Sequence, residues 1–189
     1  MKLRALIVGM GFLCTFSSFA ATELRYGLEA EYPPFESRNA SGELEGFDVE
    51  LGNAICKAAA LKCSWVETSF DALIPGLVAK KFDAINSAMN ITEQRRKSID
   101  FTQPIYRIPS QLVGKAGTAV DTTPEGLKGN TSGVRQGASQ ETYAKEHWEK
   151  HGVTVVSYKD QNMAWGDLLN GRIDASLVMS AAGQAGFLS

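Results

Sequence analysis

Residues 83–97, with the sequence DAINSAMNITEQRRK, form the stretch that decides the fold. Its first three residues are typical of the end of a buried strand, a polar loop follows, and Thr92 is suited to cap a helix that begins at Glu93. The amide groups of a helix N-terminus attract anions, and Arg95 can hold a carboxylate through two hydrogen bonds. We therefore expect a ligand carboxylate to bind here. From this stretch alone, an ordinary strand-to-helix connection with Arg95 in solvent remains the alternative.

The chain that leads to this stretch alternates between strand and helix patterns. Strands are predicted at 24–28, 63–66 and 82–85, a helix begins at 46–51 and ends between 56 and 61, and a second helix covers 71–78. This βαβαβ order predicts an α/β fold whose parallel sheet is covered by helices on both faces. The loop at 29–35 follows the first strand, and such strand-end loops are where α/β sheets bind ligands.

A similar pattern returns in the second half of the chain. Residues 98–113 predict an extended, proline-containing crossing that ends in a strand. A strand that ends in a glycine turn is predicted at 132–137, further strands at 153–156 and 172–178, and helices from 139 and at 163–169. Because the repeat puts a second helix N-terminus after a strand, we expect two lobes of the same topology that face one cleft.

The first 20 residues have the pattern of a secretory signal peptide. Lys2 and Arg4 precede an apolar run, and the small residues up to Ala20 suit cleavage after that position. The apolar run is too short for a membrane-spanning helix. The sequence therefore predicts an exported protein.

Composition and charge exclude some classes of function. The chain has 44% hydrophobic residues and a formal net charge of −2, and removal of the signal peptide would make it more acidic. A nucleic-acid partner is therefore disfavoured. Cys56 and Cys63 would then be the remaining cysteines, and their close spacing in an exported chain favours a disulfide. A zinc site is the disfavoured alternative because the spacing does not suit a thiolate pair and no histidine lies nearby.

From Leu24 onward the chain resembles the periplasmic binding proteins for lysine, arginine, ornithine and histidine, which are the polar amino-acid receptors of ABC importers. The resemblance is carried by Tyr32-x-Pro34-Phe35, Gly46-Phe47-Asp48-Val49-Glu50-Leu51-Gly52-Asn53, Phe70-Asp71-Ala72-Leu73-Ile74-Pro75, Asn90-Ile91-Thr92-Glu93-x-Arg95 and Gln136-Gly137-x-Ser139-Gln140-Glu141. The spacing of the two cysteines also matches basic amino-acid members of that family.

This resemblance implies a two-lobed α/β fold of the type II periplasmic binding class, with a ligand cleft between the lobes. It implies that residues 21–108 form lobe 1 and residues 109–189 form lobe 2. The expected protein is a periplasmic monomer without cofactor or metal that delivers an amino acid or derivative to an inner-membrane ABC permease. Family members return from lobe 2 to lobe 1 at their C-terminus, and the sequence up to Ser189 is expected to lack that return.

The resemblance assigns one group of residues to the ligand carboxylate. Arg95 would bind the α-carboxylate, helped by Ser139 and backbone amides of lobe 2. Ser87 and Asn90 would line the wall formed by lobe 1. The carboxylate site predicted from residues 83–97 and the site implied by the resemblance thus coincide.

A second group would surround the side chain of the ligand. Tyr32 and Phe70 would lie on either side of it, with cation–π attraction for a cationic ligand. Glu29 would pair with the distal cation. The alternatives are that the two rings are ordinary core residues and that Glu29 is a solvated loop acid.

Three substitutions separate this sequence from the family pattern. Met179 stands where the family has an aspartate for the α-ammonium, Arg135 replaces an apolar residue, and Ala88 replaces a serine. A desolvated ammonium without an anion is unfavourable by several kcal/mol. Loss of an acid and gain of a base make the pocket more positive. Glu29 and the loss of the aspartate at position 179 resemble the opine-binding branch, so we hypothesise that Arg135 pairs with a second carboxylate of an opine ligand.

Two other functions compete with the receptor interpretation. An enzyme on the same fold, such as a dehydratase, is possible in principle, but the sequence offers no nucleophile with an adjacent base. His147 and His151 lie four residues apart and could face one metal, yet no third ligand is evident nearby. A truncated receptor without transport function is the other alternative.

Overall fold

A computed structural model describes residues 23–118 and 121–188. The signal peptide predicted for residues 1–20 lies outside these ranges. In the described residues, strands and helices alternate as the sequence predicted, and two separate parallel or mixed sheets are formed. The predicted α/β class is therefore confirmed.

The secondary structure begins with strand β1, and strands and helices follow in the order given by their numbers. The strands are β1 Glu23–Leu28, β2 Ser37–Arg38, β3 Leu44–Glu45, β4 Lys62–Glu67, β5 Ala84–Ile85, β6 Ser110–Gly114, β7 Thr131–Arg135, β8 Thr154–Tyr158 and β9 Ala175–Met179. The α-helices are α1 Phe47–Ala58, α2 Leu73–Val78, α3 Glu93–Arg96, α4 Ser139–His147, α5 Gln161–Leu169 and α6 Ser180–Gly183.

The first sheet defines lobe 1. Its strand order is β4-β1-β5, all parallel, and the register runs from the Glu23 and Lys62 pair to the Leu28 and Glu67 pair. The ring of Phe82 fills the space under this sheet so closely that a Cβ added at Gly27 would lie 2.5 Å from it. This tight packing fixes the carboxyl ends of β1 and β5, from which the cleft loops start.

The second sheet defines lobe 2. Its strand order is β6-β9-β7-β8, in which β7 is parallel to both neighbours and β6 is antiparallel to β9. Strand β9 is buried along its whole length. Its apolar run is thus a central strand covered on both faces, as is typical of parallel sheets.

Several details differ from the sequence prediction. The helix expected at 71–78 starts with a 3₁₀ turn at Phe70–Ala72, and the strand expected at 82–85 contains only the two residues of β5. The short β2/β3 hairpin was not predicted, nor were α6 and the π-helical segment Gln184–Leu188 after β9. The predicted lobe boundary between 108 and 109 lies just before β6, and it stays a prediction.

A disulfide joins Cys56 near the end of α1 to Cys63 in β4, with their Cα atoms 6.1 Å apart. It links a helix of lobe 1 to the edge strand of the sheet on which that helix packs. Within the two described ranges, no helix is long and apolar enough to cross a membrane.

Candidate functional site

The cleft residues come from loops and strand ends of both lobes. Lobe 1 contributes the loops after β1 and β5 and the 3₁₀ turn after β4, whereas lobe 2 contributes the end of β7, the start of α4 and the end of β9. Contacts between these elements bring together the sequence-predicted residues Glu29, Tyr32, Phe70, Ser87, Ala88, Asn90, Arg95, Arg135, Ser139 and Met179. The roles in ligand binding that the sequence assigned to them stay predictions.

Arg95 lies buried in the short helix α3, with 9% of its surface exposed. Thr92 caps this helix as predicted, because its side-chain oxygen accepts a hydrogen bond from the Arg95 amide at 3.2 Å. The guanidinium donates to the carbonyl of Asn90 at 2.6 Å and to the carbonyl of Gly137 at 2.9 Å. Because Gly137 belongs to lobe 2, Arg95 connects the two lobes.

The charge of Arg95 has no carboxylate partner. In the ranges 23–118 and 121–188, no ion pair of Arg95 is formed. Burial, and to a smaller extent the positive charge of Arg135, lower the pKa of Arg95 to about 10. A buried cation without a carboxylate partner would be stabilised by a ligand anion.

A second set of contacts joins the lobes beside Arg95. The side-chain amide of Asn90 donates through its Nδ2 to the hydroxyl of Ser139 at 2.8 Å, and Ser139 is the first residue of α4. Gly137 has a φ of 75° and lies so close to lobe 1 that a Cβ there would be 2.8 Å from the Cα of Asp71. Only glycine fits both the backbone conformation and the close approach.

Arg135 is the other buried cation of the cleft, with 3% of its surface exposed. It is the last residue of β7, and its Nη1 donates to the Oε2 of Glu29, which is also buried. Burial raises the pKa of Glu29, and the charge of Arg135 opposes this effect. The Oε1 of Glu29 and the Nε of Arg135 are buried without a hydrogen-bond partner.

Two aromatic rings enclose the guanidinium of Arg135. Its Cζ lies 3.7 Å from the ring centroid of Tyr32 and 3.8 Å from that of Phe70. The sequence hypothesis gave Arg135 a ligand carboxylate as partner and gave the two rings a ligand side chain. In the structure the partner of Arg135 is Glu29, and the side chain between the rings is that of Arg135 itself.

Met179 ends β9 next to Tyr32. Its amide donates to the hydroxyl of Tyr32 at 3.3 Å, which ties the end of a lobe 2 strand to the first cleft loop of lobe 1. The methionine is 3% exposed and belongs to the main apolar cluster. Its side chain therefore contributes packing at this position and no charge.

Ser87 and Ala88 lie in the loop after β5, but their polar groups are used within lobe 1. The hydroxyl of Ser87 accepts from the amide of Glu29 at 3.0 Å and donates to Glu36 at 2.8 Å. Ala88 has a φ of 42°, and its amide donates to Asp48 at 2.5 Å. These contacts hold the loop in place beneath the cleft.

A buried network formed by the acids Glu36 and Asp48 and their neighbour Tyr106 was not predicted from the sequence. Tyr106 donates to both carboxylate oxygens of Asp48, at 3.2 and 3.3 Å. Burial and the nearby charge of Asp48 raise the pKa of Glu36 well above 4.5. Asp48 stands in the first turn of α1, where an acid is common for helix stability, so its sequence position gave no signal of a buried network.

A cavity in the described ranges shares some of the predicted site residues. It has a volume of about 570 Å³ and is lined by the segment 99–108 and by the predicted site residues Ser87, Ala88, Asn90 and Ser139. It does not contain Glu29, Phe70 or Arg95. His151 faces Glu125 at 3.3 Å, and the described ranges hold no group of three or more His, Cys, Asp or Glu side chains arranged for a metal.

Comparisons with known proteins point to one family. Residues 24–176 match the profile of "Bacterial extracellular solute-binding proteins, family 3". The lysine/arginine/ornithine-binding periplasmic protein of Escherichia coli (strain K12) is 44% identical over 189 residues, covering 99% of this chain and 73% of that relative.

Solved structures agree with this assignment. An ancestral arginine-binding protein bound to arginine superposes with a TM-score of 0.83 at 35% identity, over 86% of this chain and 72% of the other. An ancestral amino acid-binding protein, described as a precursor of cyclohexadienyl dehydratase, gives 0.82 at 31% identity over the same shares of the two chains. The two-lobed architecture predicted from the sequence is therefore confirmed.

Proposed function

The chain belongs to family 3 of the bacterial extracellular solute-binding proteins, and from this premise we propose that it binds a polar amino acid or derivative between its lobes as the receptor of an ABC importer. The protein performs no chemistry on its ligand. It lies in the periplasm, functions as a monomer, and delivers the ligand to a permease in the inner membrane. The predicted signal peptide at residues 1–20 directs its export.

The observation that carries this proposal is the state of Arg95. It is buried between the lobes, it hydrogen-bonds backbone carbonyls, and no carboxylate of the described part of the chain partners it. An α-carboxylate would supply the missing negative charge through a charge-assisted hydrogen bond. Ser139 and Asn90 stand beside it and would complete the carboxylate site.

The ligand class we propose is a basic amino acid or a derivative of one, such as an opine. The names of the relatives support a basic amino acid, since they refer to lysine, arginine and ornithine. Met179 gives an α-ammonium no anionic partner, which favours an opine, because its additional carboxylate can offset the charge of its substituted amine. Such a ligand would contact both lobes, and only a ligand with differential affinity shifts the opening equilibrium.

Calorimetric titration of the signal-free chain tests the proposal. The panel contains arginine, lysine, histidine, glutamine and carboxylated conjugates of arginine and lysine. A saturable heat with at least one of them supports a receptor, and tighter binding of a conjugate than of the free amino acid supports the opine class. A folded chain that binds none of them contradicts the proposal. Turnover of a prephenate-like substrate would instead favour the dehydratase alternative.

A further inference from the structure

The contacts of Arg135 form a complete site for a guanidinium. Glu29 supplies the negative charge, and Tyr32 and Phe70 supply aromatic faces on opposite sides at 3.7 and 3.8 Å. All three groups belong to lobe 1, whereas the cation that fills the site comes from lobe 2. The site is therefore built by one lobe and occupied by a side chain of the other.

A second cation cannot share this position with Arg135. The distance from Arg135 to each ring leaves no room for another group between them, and two like charges in a buried site repel each other. In the described ranges, Glu29 is also the only acid that forms an ion pair with a cleft cation. A ligand cation that uses this site must first displace Arg135.

The fit of Arg135 is incomplete, which makes its displacement feasible. One oxygen of Glu29 and the Nε of Arg135 are buried without a partner, so the pair leaves hydrogen-bonding capacity unused. Unsatisfied buried polar atoms are unfavourable. A free guanidinium that is not attached to β7 could turn to satisfy both carboxylate oxygens in a bidentate arrangement.

We propose that Arg135 is a built-in competitor for the side chain of a cationic ligand, and that it lowers the affinity of the cleft for every ligand with a cationic side chain. This inference rests on the proposed receptor function. When Arg135 occupies its site, the fraction of molecules able to accept a ligand cation is small, and the apparent affinity falls by that fraction. A ligand without a cationic side chain does not meet this competition.

The first test measures arginine binding to the wild-type chain and to R135A by calorimetry. We expect R135A to bind arginine about tenfold or more tightly than the wild type, because the aromatic site is then free. R135K retains a cation at the same position and serves as the matched control, with a much smaller gain. R135Q is the second variant, since it keeps more of the volume of the side chain and guards against loss of folding.

The second test uses ethylguanidinium, which has no carboxylate and so does not depend on Arg95. It should bind to R135A and raise its melting temperature, and the wild-type chain should show no such shift. The double variant E29Q/R135A should lose this response because the negative charge is gone. Circular dichroism of each variant verifies folding.

The outcomes separate the two proposals. If folded R135A and R135Q bind arginine no more tightly than the wild type, and ethylguanidinium does not bind to R135A, the competitor proposal is wrong even when another amino acid binds. If R135A binds ethylguanidinium while neither chain binds any amino acid, Arg135 is a competitor but the proposed receptor function fails.

Discussion

Arg95 and Arg135 are both buried between the lobes, yet the groups that surround their charges differ. Arg135 has a carboxylate partner and two ring faces, all from its own chain. Arg95 has two backbone carbonyls and only a distant ring, that of Phe70 at 5.5 Å. The charge of Arg135 is compensated within the chain, whereas the charge of Arg95 is not.

This difference is the basis for our proposal that Arg95 binds a ligand anion and that Arg135 does not. Burial alone makes a charge unfavourable, and the chain can offset it with its own acid or leave the offset to a ligand. The comparison explains why the two arginines should respond oppositely to ligand: an anion stabilises the surroundings of Arg95, and a cation competes with Arg135.

Removing the partner of Arg135 should have the largest effect. E29Q leaves a buried cation without an anion, and we expect the free energy of unfolding to fall by about 3–5 kcal/mol. Urea denaturation of the signal-free chain measures this change. E31Q is the matched control, since Glu31 is exposed in the same loop, and it should change stability by less than about 0.5 kcal/mol. Equal effects of E29Q and E31Q would show that the pair is not an important electrostatic contact.

Replacing Arg95 should weaken ligand binding. R95Q removes the charge that we assign to the ligand carboxylate, and we expect the free energy of ligand binding to weaken by about 2–5 kcal/mol. Calorimetry with the tightest ligand of the panel measures this loss. R96Q is the control on the same helix, because Arg96 is exposed and contacts Glu93 at 3.7 Å and the ring of Phe101 at 5.8 Å, both at the surface. Unchanged binding by folded R95Q would contradict the role of Arg95.

Glu36 is a buried acid that forms no ion pair in the described residues, so like Arg95 it has no partner of opposite charge there. Its pKa in the folded chain is raised well above 4.5, so the folded state holds the proton after the unfolded state has released it. Stability should therefore fall as pH rises above 4.5, until the folded-state pKa is passed.

The contribution of one such group is about 1.4 kcal/mol per pH unit within that window. E36Q should remove it, so the difference in stability between E36Q and the wild type should grow in favour of E36Q with rising pH. Denaturation at a series of pH values measures the difference. E50Q, at an exposed position of α1, should run parallel to the wild type. A constant difference between E36Q and the wild type would mean that Glu36 titrates normally.

The smallest expected effect concerns the helix that carries Arg95. T92A removes the N-cap of α3, and we expect a loss of about 1 kcal/mol in stability. Thermal or urea unfolding measures it. T142A at an exposed position of α4 is the control, since a threonine to alanine change inside a helix does not lose a cap. A larger loss in T142A than in T92A would contradict the capping role.

Much of the fold followed from local patterns in the sequence. The strands β1 and β4, the helix α1 and the capping residue Thr92 were predicted from short-range signals, and the structure contains each of them. The 3₁₀ turn before α2 and the shortness of β5 were not predicted, because tertiary contacts set the ends of such elements.

The sequence indicated which residues belong to the candidate site, but it did not indicate which of them contact one another. The sequence drew attention to Glu29, Tyr32, Phe70 and Arg135 separately, and the structure brings all four together. Arg135 fills the space between the rings because the two lobes approach each other there. Arg135 and its partner Glu29 are 106 residues apart in the sequence. No local pattern carries that information.

The sequence by itself determined the α/β class and the two-lobed repeat, because these depend on periodicity, turn chemistry and short motifs. The tertiary structure alone decided which buried charge is compensated. Glu29 and Arg135 meet because the end of β7 faces the loop after β1, whereas Arg95 meets backbone carbonyls. Electrostatic interactions depend on distance in space and on burial, and neither is set by separation along the chain.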